Sequence, residues 1–199
     1  MKLFTIEQTK AAYCADFAFY GATIVVLTAA LLVYVTPARL PRLAFLAVLG
    51  SLGWSAAEYL VHRFIFHGVQ PFQRWHAEHH ARPAAFICAP TILTASLLGA
   101  FLLLLAWLIG NAWSACAVML GVLSGYVAYG ATHHAIHHWR AKSTWLRCLQ
   151  RSHFIHHHAL KPCYFGVTSG IWDRVCRSGS PMRGIKRQRA QAAIDRTPS

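Results

Sequence analysis

The chain alternates long apolar stretches with short polar segments, a pattern typical of membrane-spanning helices. The first uncharged stretch covers 17–35 and is long enough to cross the roughly 30 Å hydrocarbon core of a bilayer as a helix. A second helix is predicted over 43–66, but its apolar part stops at Glu58. The last turns of this helix should therefore emerge into a polar site.

The central part of the chain predicts a hairpin of two further spans. Residues 83–139 contain no Asp, Glu, Lys or Arg, and a Gly-Asn pair at 110–111 divides this stretch. The two predicted spans cover 91–109 and 112–132. Together the four stretches predict an all-α, polytopic membrane protein of about four transmembrane helices, with a histidine-rich helical cap.

Basic residues are concentrated near the C-terminus. Twelve of the nineteen Lys and Arg residues follow His138, and the stretch 179–199 is interpreted as a basic tail behind a membrane domain at 1–178. A basic segment beside membrane helices is more simply a surface that faces anionic lipid than a nucleic-acid site, so no nucleic-acid partner is expected.

The distribution of charge also predicts the orientation. Four crossings place the loop around His76 and the segment after His133 on one face, and the basic bias predicts that this face is cytoplasmic. Arg39 and Arg42 go against this bias, because they lie in a short loop on the opposite face. We expect an inner-membrane location if the chain is bacterial, or the endoplasmic reticulum if it is eukaryotic.

The six cysteines form no CxxC pair, and several lie in apolar runs, where cysteine behaves as a small hydrophobic residue. Neither disulfides nor a zinc finger are expected. The first apolar run has no clear small-residue cleavage site, which argues against a removed signal peptide.

Ten of the thirteen histidines fall into four spaced clusters, and none of the thirteen precedes His62. Because positions i, i+3 and i+4 share one side of a helix, each HxxHH cluster is predicted to present three imidazoles on a common face. The remaining histidines, His134, His138 and His158, are interpreted as ordinary or supporting residues with open roles. The clusters are HxxxxH at His62 and His67, HxxHH at His76, His79 and His80, HxxxH at His133 and His137, and HxxHH at His153, His156 and His157.

Such clusters are typical of metal sites, since neutral imidazole is a ligand for Zn, Cu, Fe and Ni. Ten histidines are too many for one ion, so two metals with about five nitrogens each are predicted. They are also excessive for zinc chemistry, which needs three or four ligands, and redox iron fits better. Zinc binds such ligands more tightly than Fe(II), so purified protein is expected to accept zinc as a surrogate.

Carboxylates near the clusters are few. Glu58, Glu78 and Asp173 are too few for bridging ligands, so nitrogen should dominate the coordination. Glu58 precedes His62 by one turn and is predicted to accept an imidazole N–H, which would offset metal charge. Glu78 and Asp173 are candidates for the same role, with helix capping or ion pairing as alternatives for Asp173.

Four segments carry a resemblance to a known family. EYLVHRFIFH, WHAEHH, GYVAYGATHHAIHH and HFIHHH, the last followed by YFGVTSGIWD, resemble the fatty acid hydroxylase superfamily, and most of all its fatty acid 2-hydroxylase branch. The match covers about 43–175, with the four histidine clusters in family order.

The resemblance implies four membrane helices, a cytosolic histidine cap and a pair of irons that use O2 to hydroxylate an acyl chain next to its carbonyl. It implies that all ten clustered histidines are ligands. Eukaryotic relatives often carry a haem domain resembling cytochrome b5, so electrons are expected from a separate donor such as a ferredoxin or a cytochrome b5-like protein. The expected partners are that donor, the acyl substrate and membrane lipids.

Alternatives remain within and outside this family. The superfamily also includes sterol and carotenoid hydroxylases, and spacing does not separate hydroxylation from desaturation. A metal transporter would place histidines and acids along a transmembrane path, and the charge-free spans at 91–109 and 112–132 argue against it. A lipid-binding scaffold would not need repeated i, i+3, i+4 histidines.

Overall fold

A computed structural model of the chain describes residues 7–179, and every regular element within that range is a helix. The seven α-helices are α1 (Lys10–Tyr34), α2 (Leu40–Leu60), α3 (Phe72–Ala81), α4 (Thr91–Ile109), α5 (Ala112–His138), α6 (Thr144–His158) and α7 (Ile171–Val175). A short 3-10 turn, Pro37–Arg39, precedes α2, and a π-helical segment, Val61–Phe66, continues it.

Four helical stretches are long and apolar enough to cross a membrane, as the sequence predicts. They are Lys10–Tyr34, Pro37–Phe66, Thr91–Ile109 and Ala112–His138. The third has the predicted bounds, whereas the fourth continues past residue 132 to His138. The protein is therefore an integral membrane protein whose fourth span carries histidines at its end.

The α2 and α5 helices form the rigid centre of the bundle. A Cβ atom at Gly121 would overlap the carbonyl oxygen of Ala47, and one at Gly50 would overlap that of Val118, so both positions require glycine. The Ser51 hydroxyl also donates to the Gly121 carbonyl at 3.1 Å. Small residues that let two backbones touch are a common way of packing helices in lipid.

The α4 helix lies at the edge of this centre. None of its residues is buried, and Leu103 and Trp107 are more than 70% exposed, as expected for a helix that faces acyl chains. A hydrogen bond of 2.6 Å between the Tyr20 and Thr94 hydroxyls ties it to α1.

The polar elements α3, α6 and α7 gather at the end of the bundle where α2 and α5 finish. Ala135 and Ile136 of α5 pack with Leu146 and Leu149 of α6 and with Val167 in one buried cluster. This cluster fixes the cap on the membrane helices. The predicted tail falls outside the described residues apart from Gly179, so the proposed boundary between 178 and 179 stays a prediction.

Candidate metal centre

The π-helical segment positions the first two clustered histidines. In an α-helix, residues five apart point in directions that differ by about 140°. The i→i+5 pattern of a π-helix instead stacks such residues above one another. His62 lies within this segment and His67 ends it, and their ring centroids are 5.4 Å apart. The HxxxxH spacing thus fits a local helical period that the sequence pattern did not predict.

Five histidines form the first of two groups, which we name the loop-anchored group. The Nε2 atom of His76 lies 3.0 Å from that of His62 and 2.9 Å from that of His80. The Nε2 atom of His156 lies 3.2 Å from that of His67 and 3.1 Å from that of His80. The ligand atoms of all five rings fall within 4.8 Å of one another.

Two rings of this group are oriented by backbone carbonyls. The His62 Nδ1–H donates to the Phe165 carbonyl at 2.6 Å, and the His156 Nδ1–H donates to the Cys163 carbonyl at 2.7 Å. Each donation assigns the proton to Nδ1, so each Nε2 carries a lone pair directed at the other imidazoles. This is the arrangement in which histidine binds a metal through Nε2.

The carbonyl-bearing loop is itself held by two buried carboxylates. One Asp173 oxygen accepts the Phe165 N–H at 2.9 Å, and the other accepts the Gly166 N–H at 2.8 Å. Glu58 accepts the N–H groups of Val167 and Thr168 at 2.8 and 2.9 Å, together with the Thr168 hydroxyl at 2.7 Å.

These contacts correct the predicted role of Glu58. Its hydrogen bonds go to the loop and not to an imidazole, because His62 gives its Nδ1 proton to the Phe165 carbonyl. Glu58 and Asp173 therefore do not contact the rings directly. They hold the backbone of the loop, whose carbonyls orient the rings. Glu78 is different, since it forms an exposed ion pair with Arg82 at 2.6 Å.

The other five clustered histidines form what we name the helix-anchored group. His133 and His137 lie one turn apart on α5, with Nε2 atoms 3.2 Å apart, and His137 lies 2.9 Å from His153 on α6. His79 joins these three, with all four ligand atoms within 4.8 Å of one another. The Nε2 of His157 lies 3.0 Å from that of His153, which adds a fifth ring.

The structure divides each HxxHH cluster between the two groups, so the imidazoles predicted to share one helix face are directed at two sites. On α3, His76 and His80 join the loop-anchored group, whereas His79 joins the helix-anchored group. On α6, His156 faces one group and His153 the other. The groups touch, because the His80 and His157 rings stack at 4.1 Å.

The nitrogen spacing suits metal ions better than hydrogen bonds. Three Nε2 atoms surround that of His76 within 3.5 Å, yet one ring nitrogen has at most one proton to share. Metal–nitrogen bonds of about 2.0–2.1 Å would separate adjacent ligand atoms by about 2.9 Å in an octahedron and about 3.3 Å in a tetrahedron. The other observed separations in this group, 2.9–3.2 Å, fall in this range, and the His76–His156 separation of 3.5 Å lies just above it. In addition, neither ring nitrogen of buried His79 has a hydrogen-bond partner.

Burial keeps these rings in the metal-binding form. Desolvation, followed by the nearby His137 and His80, lowers the pKa of His79 to about 3. Desolvation also lowers the pKa of His156 to about 3, and desolvation with His67 lowers that of His80 to about 4. The lone pairs needed by a metal are therefore free at neutral pH.

The remaining three histidines lie outside both groups. His134 and His138 stack on each other at 4.4 Å, and His138 also stacks on Phe86 at 5.5 Å. His158 is exposed, and its Nδ1 donates to the Phe154 carbonyl at 2.8 Å.

A family model described as fatty acid hydroxylase matches residues 47–178, which include every member of both groups. The chain belongs to the fatty acid hydroxylase family. This agrees with the resemblance carried by the four histidine clusters.

Individual relatives point the same way. A dihydroceramide fatty acyl 2-hydroxylase of Arabidopsis thaliana is 33% identical over 145 residues, which are 68% of this chain and 60% of the relative. Human fatty acid 2-hydroxylase is 31% identical over 140 residues, 64% of this chain and 37% of the human protein. The chain thus spans less than two thirds of either relative.

The fold has a solved counterpart. In a structure of full-length Scs7p only the hydroxylase domain is visible, and it matches with a TM-score of 0.76 and 25% sequence identity. The match covers 88% of this chain and 68% of that chain.

Proposed function

We propose that this protein is a membrane-bound oxidoreductase that hydroxylates a lipid acyl chain with O2, using two iron ions held by the ten clustered histidines. The observation that carries the proposal is the division of these histidines into two touching groups of five at the end of an apolar bundle. The names of the relatives, which are fatty acyl 2-hydroxylases, support the acyl substrate.

Each group would hold one ion. Imidazole nitrogen suits Fe(II), and zinc would bind the same rings as a redox-inactive surrogate. When bound, the irons supply the oxidising power that inserts one atom of O2 into a C–H bond, while the other atom leaves as water. The two electrons required would come one at a time from a redox donor of the ferredoxin or cytochrome b5-like class, and the two protons would come from solvent.

The chain itself positions and shields the reaction. His62 and His153 are only 2% and 3% exposed, so water has little access to these rings. The histidines begin where the membrane helices end, so an acyl chain lying in the bilayer can bring its carbonyl end to the centre. Hydroxylation beside the carbonyl is the outcome we expect.

Analysis of cellular lipids tests the reaction. Cells that express the protein under oxygen-18 gas should contain acyl chains with one added labelled oxygen at the carbon beside the carbonyl, located by fragmentation mass spectrometry. Cells expressing the His156→Ala variant are the matched control and should lack this product. A new double bond would identify a desaturase, and oxygen on a sterol or carotenoid would assign a different substrate. An unchanged lipid profile in cells supplied with a donor would contradict the proposal.

The orientation is tested by labelling. We propose that the histidine cap faces the cytoplasm. In a cysteine-free background, single cysteines at Gln73 and Lys142, both exposed at the histidine end, should resist an impermeant external thiol reagent. A cysteine at exposed Ala112 should react with it. Labelling of Gln73 and Lys142 from opposite sides would exclude this topology.

A further inference from the structure

The end of the bundle opposite the histidines contains a second feature, a cavity of about 250 Å³. It lies between the start of α2 and the start of α5, whose other ends lead to the histidine groups. Its lining includes Val35, Arg39, Arg42, Leu43, Asn111 and Trp113.

The cavity is strongly positive. Arg39 and Arg42 line it together, and both ion pairs within the described residues 7–179 belong to a different arginine, Arg82. The acidic residues of that range all lie at or near the histidine end and not at the cavity. Glu58 and Asp173 hold the loop, Glu7 and Glu78 pair with Arg82, and Asp16 lies in the first turns of α1.

Two helix starts add to this positive potential. The α2 helix begins directly after Arg39, and α5 begins directly after Asn111. The Leu40 N–H is bonded to the Pro37 carbonyl and the Ser114 N–H to the Asn111 side chain, so the contribution of these helix starts is the positive end of the helix dipole. The arginines and the helix ends together favour an anionic ligand.

Apart from Asn111 and Ser114, the remaining walls are apolar, and they lie at the depth of the membrane interface. Val35 and Leu43 are buried in one cluster, and Trp113 packs against it. Tyr34 and Trp113 stack with ring centroids 6.1 Å apart at the ends of their helices. Tyrosine and tryptophan prefer the level of the lipid headgroups, so the cavity faces a region that contains both phosphate groups and acyl chains.

We propose that this cavity binds the phosphate-bearing headgroup of an anionic phospholipid from the leaflet opposite the histidine centre. The two arginines contact the phosphate, and the first carbons of the acyl chains lie on Val35, Leu43 and Trp113. Free phosphate would satisfy the arginines but leave these apolar walls uncovered. Such a ligand would also explain why two arginines lie on the face opposite the one where most basic residues are expected. This site is separate from the metal centre and does not depend on the proposed reaction.

Native mass spectrometry of the full chain in mild detergent tests the site. Phosphatidylglycerol and phosphatidylcholine with identical acyl chains are added in turn, and bound lipids are counted. We expect one phosphatidylglycerol to bind in preference to phosphatidylcholine. The Arg39→Gln/Arg42→Gln variant should bind it roughly 30-fold more weakly, from the attraction typical of two interfacial basic residues.

Two controls make the outcome decisive. Arg147→Gln/Arg151→Gln removes the same charge from exposed positions of α6 at the other end and should leave the tight lipid in place. Arg39→Lys/Arg42→Lys keeps the charge and should retain the preference in part. Equal binding by the wild-type protein and the Arg39→Gln/Arg42→Gln variant would overturn the proposal. Displacement of the lipid by millimolar inorganic phosphate alone would assign the cavity to free phosphate and would overturn it as well.

Discussion

The loop-anchored and helix-anchored groups contain the same number of histidines but are built differently. The helix-anchored group takes four rings from two pairs spaced i, i+4 on α5 and α6, so regular helices present them. The loop-anchored group depends on a π-helical turn and on two carbonyls of the loop after α6. One group is therefore organised by helix geometry, whereas the other is organised by tertiary contacts, and the two should respond differently to mutation.

The largest effects should come from losing a ring of either group. His156→Ala and His153→Ala should each reduce hydroxylation to background, because the proposed reaction needs both ions. Metal analysis should show which group has lost its ion. Each variant should retain about one ion per chain, bound by the group that was not changed.

His158→Ala is the matched control on the same helix, and it should keep both activity and metal because His158 bonds to the carbonyl and stacks on the ring of Phe154, which belongs to neither group. All three variants should insert into the membrane normally, since insertion depends on the apolar spans. Two ions in the His156→Ala protein would remove His156 from the metal centre.

Loss of the Asp173 carboxylate should be the next largest effect, and it should fall mainly on the loop-anchored group. Asp173→Ala removes the acceptors of the Phe165 and Gly166 N–H groups and so frees the carbonyl that orients His62. We expect a roughly 10- to 100-fold loss of metal affinity at that group, the usual effect of removing support from a ligand. Competition with a chelator measures it.

The control for Asp173 is Glu78→Ala, which removes an exposed carboxylate and should leave metal affinity unchanged. An equal loss of both ions in the Asp173→Ala protein would show that the loop supports the two groups together and not one of them.

Acid should destabilise the metal-free protein through both groups. His79 has a folded pKa of about 3, below its ordinary value of 6.5, so the unfolded chain takes up a proton that the fold does not. Stability is thus complete above pH 6.5 and falls as pH drops towards 3, by up to about 1.4 kcal/mol per pH unit for one such histidine. Thermal unfolding between pH 7 and 5 measures the slope, and His79→Gln should make it shallower. An unchanged slope would contradict the burial of His79.

The smallest effect is expected for Glu58→Gln. The glutamine oxygen can still accept the Val167 and Thr168 N–H groups, and its amide can donate to the Thr168 hydroxyl. We expect a loss of about 1 kcal/mol in the free energy of unfolding, measured by denaturation of detergent-solubilised protein. Glu58→Ala leaves buried N–H groups without an acceptor and should cost more. Equal losses would show that a neutral amide cannot replace the carboxylate as the acceptor of these groups, and would contradict the expectation.

The features that depend on regular helical periodicity were predicted well from the sequence. The four spans follow from long uncharged stretches, and the paired rings of His133 with His137 and of His153 with His157 follow from i, i+4 spacing. Both depend only on local helical geometry, which a pattern of residues can reveal.

Contacts between segments that are distant in the chain were harder to predict from the sequence. Glu58 lies more than a hundred positions before Val167, whose N–H it accepts, so proximity to His62 in the chain suggested the wrong partner. The division of each HxxHH cluster could not be predicted either, because one helix face can present rings to two neighbouring centres. The FGVTS segment was noted as a family element, but nothing in its composition indicated that the carbonyl of its first residue, Phe165, and that of Cys163 just before it orient imidazoles.

The π-helical segment has a consequence for how this centre tolerates insertions and deletions. The phase of α2 is set by its glycine contact with α5 in the lipid, whereas His67 must meet rings supplied by α3 and α6. The wider turn absorbs the angular mismatch between these two requirements. The same number of residues wound as a regular α-helix would turn the two imidazoles about 140° apart, whereas a one-residue deletion that restored α-helical winding would leave an i, i+4 pair on one face. The match between residue count and helical winding in this turn, more than the identity of its apolar side chains, therefore sets the positions of the two rings.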